Sequence, residues 1–168
     1  MVAQALAEST GATLAEGDDF HPAANVATMA SGRPLDDEDR WPWLQAIADW
    51  IDEQEQAGRS CVVTCSALKR SYRDLLREGN PSVRFCQLDA DTAILLARVE
   101  GRRGHYMPPS LLHSQLRSLQ PLEDDEPGGR VNAEGDLPDV LRRVLAMLAE
   151  DGNGKPGQRG TDSAAAAS

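Results

Sequence analysis

The sequence predicts an α/β domain in which a parallel sheet is covered by helices on both faces. Short apolar runs that suit buried strands alternate along the chain with longer segments of helical periodicity, a pattern typical of parallel sheets. The clearest strand, residues 61–65 (CVVTC), is a compact, apolar and β-branched run, as expected where both faces of a strand are buried. At 168 residues the chain fits one domain with a substantial core.

The predicted helices combine an apolar stripe with a recognisable start or stop. Gly11, Gly32 and Gly58 stand where helices end, and Ser66 stands at a position that favours an N-cap. On these signals the helices cover residues 1–9, 23–30, about 37 or 40 to 57, 67–78, 92–102, 110–119 and 138–150.

Three further strands are short apolar runs between these helices. They are predicted at residues 12–15, 83–88 and, at an edge of the sheet, 130–133. From residue 151 onward the sequence DGNGKPGQRGTDSAAAAS has no apolar periodicity, so we expect it to be disordered. The expected organisation is therefore one domain over residues 1–150 and a disordered tail over 151–168.

Charge and composition argue against several classes of function. A formal net charge of −10 disfavours sequence-independent binding to nucleic acid, which needs a concentrated basic surface. The chain has no long apolar run and no basic-then-apolar leader, so we expect no membrane span, no secretion and a cytoplasmic protein. The three cysteines have apolar neighbours and are expected to be buried thiols, not disulfides or a zinc site.

One polar segment, residues 16–44 (EGDDFHPAANVATMASGRPLDDEDRWPWL), has too few consecutive apolar residues to be a core element. Glu16, Asp18 and His21 follow directly after the predicted strand 12–15, at the edge where open α/β sheets bind ligands. The segment is therefore predicted to be a substrate-binding loop and helix. The acids at 36–39 are interpreted as helix caps and a solvated first turn.

Three segments taken together resemble the gluconate kinases, P-loop enzymes of the shikimate-kinase-like group. They read, in order, EGDDFHPAANVATMASGRPLDDEDRWPWL, CSALKRSYRDLLREG and RRGHYMPPSLLHSQLRSLQPLE. The resemblance implies transfer of the ATP γ-phosphoryl group to the 6-hydroxyl of D-gluconate, with Mg²⁺ as cofactor, and a homodimer. It also implies a P-loop NTPase-like three-layer fold, in which the family's first strand lies centrally between the strands predicted at 61–65 and 83–88.

The resemblance gives roles to residues of the polar segment. Asp18 matches the acid that accepts a proton or hydrogen bond from the attacking hydroxyl, and Glu16 would hold a metal-bound water. His21 and Arg40 match positions that hold the polyol and its carboxylate, for which the planar fork of arginine is well suited. Without the resemblance, the two acids could equally be helix caps, and His21 could be a structural histidine.

Further roles fall on a second substrate loop and on a lid at about residues 102–120. SALK at 66–69 matches the substrate loop, so Lys69 and Arg73 are candidates for binding gluconate. Arg102 matches a mobile lid arginine that stabilises the transferred phosphoryl group and contacts ATP. Two further residues, His105 and Gln115, are candidates for contacting the substrate. Arg98 is a candidate for contacting ATP.

The family's glycine-rich loop, G-x-x-x-x-G-K-[ST], does not occur in these 168 residues. The single Gly-Lys pair is Gly154-Lys155, and the residue five positions before Gly154 is Ala149. Because that loop cradles the phosphates and supplies a lysine and a Mg²⁺-binding hydroxyl, we expect impaired phosphoryl transfer and a sheet without its central first strand. Either the reading frame begins upstream of Met1, or the chain is a catalytically dead form that binds a sugar acid or a partner subunit.

Overall fold

The computed structural model describes residues 1–94, 109–152 and 164–167. The helices in these ranges are α1 (Val2–Thr10), α2 (Ala23–Ala30), α3 (Asp37–Gln56), α4 (Arg70–Arg77), α5 (Pro109–Ser118) and α6 (Leu137–Gly152). The strands are β1 (Thr13–Glu16), β2 (Cys61–Thr64), β3 (Arg84–Asp89), β4 (Gly128–Asn132) and β5 (Ala164–Ala167). A 3-10 turn, Gly17–Phe20, follows β1 directly. In the described parts of the chain, no helix has both the length and the apolar character needed to span a membrane.

The five strands form one parallel sheet in the order β1-β2-β5-β3-β4. This confirms the predicted α/β class. Because the strands are parallel, their carboxyl ends lie at one edge of the sheet. At that edge β1 and β2 end side by side, with Glu16 paired to Thr64.

Apolar side chains cover both faces of the sheet, as the three-layer prediction requires. Successive residues of a strand point to opposite faces. Val62 and Cys86 therefore pack with α1 and α6 on one face, while Val63 and Phe85 pack with α3 and α4 on the other. All three cysteines are buried and remain thiols, with none in a disulfide, which confirms the prediction of buried thiols.

Most predicted elements lie within about two residues of their observed bounds, and the largest difference is at the start of α4. The helix was expected to start at Ala67 with Ser66 as its cap, but it begins at Arg70. The backbone N–H of Leu68 binds the carbonyl of Ser66, and the carbonyl of Leu68 accepts from the N–H of Gln120. Residues 66–69 are thus held as a loop by a distant part of the chain.

The tail also differs from the expectation. Helix α6 continues to Gly152, and residues 164–167 form β5, which pairs with residues 62–64 of β2 and 84–87 of β3. This is the central position that the sequence suggested would lack a strand. The facing edges of β2 and β3 carry backbone donors and acceptors that must be paired when buried. A segment without apolar periodicity can satisfy them through its backbone alone.

We expect Ala165→Pro to weaken the sheet at this point. Ala165 lies opposite Val63 in β2 and Phe85 in β3, and proline removes an N–H from the middle of the ladder. A buried acceptor left unpaired costs roughly 1–3 kcal/mol, so amides of β2 and β3 should exchange with solvent roughly tenfold faster or more. Ala165→Ser keeps the N–H and should exchange like the wild type. Unchanged exchange in the proline variant would contradict the pairing.

Candidate active site

Side chains hold together the carboxyl ends of β1 and β2. Thr64 Oγ1 donates to Glu16 Oε2 at 2.6 Å and accepts from the N–H of Gly17 at 3.2 Å. Glycine is required at position 17 because a Cβ there would lie 2.0 Å from the carbonyl oxygen of Thr64. The 3-10 turn can therefore start directly at the strand end, and it carries Asp18, which is exposed at the edge of the sheet.

His21 is held in place by residues of α2 and α3. Its ring stacks on Trp43 with the centroids 4.4 Å apart, and Trp43 Nε1 donates to the carbonyl of Gly17 at 2.7 Å. Asn25 Nδ2 donates to the carbonyl of Asp39 at 2.7 Å and lies 3.3 Å from His21 Nδ1. Because this amide nitrogen is a donor, Nδ1 is the acceptor and the neutral ring carries its proton on Nε2. Burial is the main cause that lowers the pKa of His21, so the ring is neutral at pH 7.

Arg40 is a mostly buried cation whose charge acts on the His21 ring. After burial, the pKa of His21 is raised by the charge of Asp18 and lowered by that of Arg40, so both charges act on the ring. Arg40 is 9% exposed, and its Nε donates to the carbonyl of Leu35 at 3.5 Å. Within the part of the chain that the structure describes, the terminal guanidinium nitrogens of Arg40 have no hydrogen-bond partner. They are available to an incoming anion.

A cavity of about 500 Å³ lies beside Arg40, a volume that suits a small polar ligand. Its walls come from the segment before and at the start of α3, from the loop 66–69 with α4, and from α5. Three of the predicted substrate residues, Arg40, Lys69 and Gln115, line it together. Asp18 and His21 do not line the cavity, and the link between them and Arg40 is the effect of the Asp18 and Arg40 charges on the pKa of His21.

Two residues that the sequence did not single out organise the cations of the cavity. Lys69 Nζ donates to both carboxylate oxygens of Asp37, at 2.7 and 2.8 Å, and the hydroxyl of Tyr72 donates to the same carboxylate. Tyr72 is buried, and its ring centroid lies 5.5 Å from Lys69 Nζ and 5.9 Å from Arg40 Cζ. Both cations therefore lie against one aromatic ring.

The interpretation of the acids at 36–39 as caps and a solvated first turn fits Asp36, Asp39 and the exposed Glu38. Asp36 and Asp39 form a reciprocal capping box at the start of α3. Asp37 points instead to Lys69 and Tyr72. In sequence, Asp37 cannot be told apart from the three acids beside it. Its contacts with Lys69 and Tyr72 form only when α3 packs against α4.

Arg73 has a structural role that corrects its prediction as a substrate ligand. It is 3% exposed and does not line the cavity. Its Nε and Nη2 donate to the carboxylate of Glu126 at 2.6 and 2.7 Å, while Nη1 donates to the carbonyls of Ala67 and Gln120 at 3.2 and 3.0 Å. Every guanidinium nitrogen is used, and the side chain holds the loop 66–69 in place.

The remaining predicted site residues are not tested by this geometry. Arg98, Arg102 and His105 lie outside the described residues, as does part of the lid predicted at about 102–120. Their roles in binding ATP and substrate stay predictions. Glu16 is engaged with Thr64 at the strand edge, and its role toward a metal-bound water also stays a prediction.

The groups that would hold a metal ion or the phosphates of ATP are not evident among the described residues. These residues contain no group of three or more His, Cys, Asp or Glu side chains that could hold a metal ion. Kinase Mg²⁺ needs one or two carboxylates together with substrate phosphates, and the 168 residues contain no glycine-rich loop to hold those phosphates.

Comparisons with known proteins identify the family, although no protein-family model matches the chain. The chain is 49% identical over 151 residues to the gluconokinase of Gluconobacter oxydans, covering 89% of this chain and 85% of that protein. It is 42% identical over 149 residues to the thermoresistant gluconokinase of Escherichia coli, covering 89% and 83%.

Solved structures agree with the relatives found by sequence. A sugar kinase from Janibacter sp. superposes with a TM-score of 0.83 at 48% identity, covering 88% of this chain and 86% of that one. A gluconokinase from Sinorhizobium meliloti superposes with a TM-score of 0.79 at 41% identity, covering 89% and 83%. Because it shares both sequence and fold with these kinases over most of its length, the chain belongs to the gluconokinase family.

Proposed function

We propose that the chain binds D-gluconate at the Arg40 cavity and serves phosphoryl transfer from ATP to the 6-hydroxyl. The observation that carries this proposal is the buried guanidinium of Arg40, which lines the cavity without a partner for its terminal nitrogens among the described residues. A planar cation of this kind suits a carboxylate. A mostly buried cation whose charged end is left open to a cavity is typical of binding sites. The gluconokinases of G. oxydans and E. coli support the choice of sugar acid.

The groups around Arg40 suit the hydroxyls of such a ligand. His21 can donate from Nε2 to a hydroxyl, because Asn25 occupies its other nitrogen. Asp18 is the group we assign to the attacking hydroxyl: its carboxylate accepts the hydrogen bond and takes the proton as the new phosphorus–oxygen bond forms. Gln115 on α5 lines the cavity and can bind a further hydroxyl. ATP with Mg²⁺ supplies the transferred phosphoryl group when bound.

We also propose that phosphoryl transfer by these 168 residues is slow. The sequence contains no glycine-rich phosphate loop, and removing one preorganised electrostatic group from such a site typically costs about 10²-fold or more in rate. A form that binds the sugar acid without turning it over is the second candidate function. The cavity beside Arg40 supports it, because binding needs only the sugar-acid half of the site.

Thermal unfolding with and without D-gluconate tests the proposal. At about 100 times its Kd the ligand should stabilise the chain by about 2.7 kcal/mol, which is roughly 5–10 °C in Tm for a chain of this length. D-Glucose is the control, because it lacks the carboxylate that Arg40 requires, and it should not shift the Tm. A shift with gluconate but none with ATP would identify the binding-only form. The absence of any gluconate shift would contradict the proposed function.

A further inference from the structure

Two cations, Arg40 and Lys69, line the cavity. Of these two, only Arg40 has terminal nitrogens without a hydrogen-bond partner among the described residues. The ammonium of Lys69 is bound by both oxygens of Asp37. The hydroxyl of Tyr72 holds the same carboxylate in place. The Lys69 and Asp37 side chains remain 31% and 49% exposed, so a ligand in the cavity can reach both of them.

We propose that Asp37 determines substrate specificity at this site by occupying Lys69 and thereby restricting the cavity to sugar acids with a single carboxylate. The inference rests on the proposed function, since it concerns the same cavity. Arg40 binds the one carboxylate of such a ligand. A sugar acid with a carboxylate at each end needs a second cation, and Asp37 already neutralises the one within reach.

The charges around Lys69 explain why the second carboxylate is rejected. It must either displace Asp37 from Lys69 or lie beside the negative charge of Asp37, and both arrangements are unfavourable. Hydrogen bonds from Lys69 and Tyr72 lower the pKa of Asp37, so this carboxylate stays ionised at neutral pH. Asp36 and Glu38 line the same cavity and add negative charge. A hydroxyl, by contrast, can donate to Asp37 without repulsion.

Substitution of Asp37 by asparagine tests the inference. Asp37→Asn keeps the shape of the side chain but removes its charge, which leaves the Lys69 ammonium available to a ligand. Calorimetric titration should give the Kd of D-gluconate and of D-glucarate, the sugar acid with a carboxylate at each end. We expect the preference for gluconate over glucarate to fall about tenfold or more in the variant, because glucarate gains a charge-assisted hydrogen bond.

Glu38→Gln is the matched control. Glu38 lines the same cavity, and its substitution removes the same unit of charge without releasing Lys69, so the preference should fall by much less than in Asp37→Asn. Tyr72→Phe removes the hydroxyl that holds Asp37 and should shift the preference in the same direction as Asp37→Asn, by less.

The outcomes separate this inference from the proposed function. An unchanged preference in Asp37→Asn, or an equal change in Glu38→Gln, would overturn the role of Asp37 while leaving gluconate binding intact. If the wild-type chain does not bind D-gluconate at all, the proposed function itself fails. If Asp37→Asn does not fold, an unchanged preference in Tyr72→Phe would overturn the inference.

Discussion

Arg73→Met should lower the free energy of unfolding by about 3–5 kcal/mol, the usual cost of removing one partner from a buried ion pair. The side chains of Arg73 and Glu126 are 4% and 3% exposed. Methionine keeps the apolar length but leaves Glu126 without its cation and the carbonyls of Ala67 and Gln120 without a donor. Because a domain has about 5–15 kcal/mol of stability in total, urea denaturation at pH 7 should show the loss clearly.

Arg70→Met is the matched control for this prediction. Arg70 lies one turn earlier on α4 and is likewise an arginine that binds carboxylates, those of Glu123 and Asp125. Its side chain is 37% exposed, and solvent-exposed pairs of this kind contribute little to stability. The loss in Arg70→Met should be a small fraction of that in Arg73→Met. Equal losses in the two variants would show that burial of the Arg73 pair is not what stabilises the chain.

The Arg73–Glu126 pair should also make the free energy of unfolding depend on pH, with a loss of stability in acid. Burial raises the pKa of Glu126, but hydrogen bonds from Arg73 and from the N–H of Glu123 outweigh it, so the folded-state pKa lies below the ordinary glutamate value. The contribution of the pair is therefore complete above the ordinary value and is lost as the pH falls through the lowered one. In Arg73→Met, the free energy of unfolding should therefore fall much less than in the wild type as the pH is lowered.

Arg40→Met should weaken the binding of D-gluconate by roughly 10- to 100-fold, since a hydrogen bond to a charged group contributes about 1.5–3 kcal/mol. The unliganded variant should melt no lower than the wild type. The reason is that the terminal nitrogens of the wild-type guanidinium bind no described residue, so the variant loses no hydrogen bond from them. Calorimetric titration with D-gluconate measures the change in affinity.

Two further variants separate the role of the Arg40 fork from a general loss of charge. Arg142→Met removes an exposed cation of α6 that pairs with Asp139, and it should leave the affinity for gluconate unchanged. Arg40→Lys keeps the charge but loses the planar fork, so its affinity should be intermediate. Wild-type affinity in Arg40→Met would show that the carboxylate binds elsewhere.

Hydrophobic periodicity was sufficient to predict β1 to β4 and the helices around them. Burial on both faces gives β2 its continuous apolar run, and burial on one face gives each helix its stripe. The sequence of β5 has no such hydrophobic pattern, because the four alanines of 164–167 join the sheet by pairing their backbone with β2 and β3. Backbone pairing leaves little trace in the order of side chains.

Site residues could be predicted from the sequence where the function requires a distinctive residue type. Contacts that form only when distant parts of the chain pack together could not. Arg40, Lys69 and Gln115 carry the family resemblance, and the structure places them around one cavity. Arg73 carries the same signal in sequence, yet its partner Glu126 lies 53 residues away. Asp37 is one of four adjacent acids, and its contact with Lys69 spans 32 residues. Neither contact can be read from local spacing.

Titration of the ¹⁵N-labelled chain with D-gluconate, followed by NMR, tests the central claim most directly. The claim is that the turn Gly17–Phe20 with His21, the start of α3 and the loop 66–69 form one sugar-acid site through Arg40. The amides of these three segments should shift together and saturate with one common Kd. Shifts confined to other surfaces, or separate Kd values for the three segments, would contradict it.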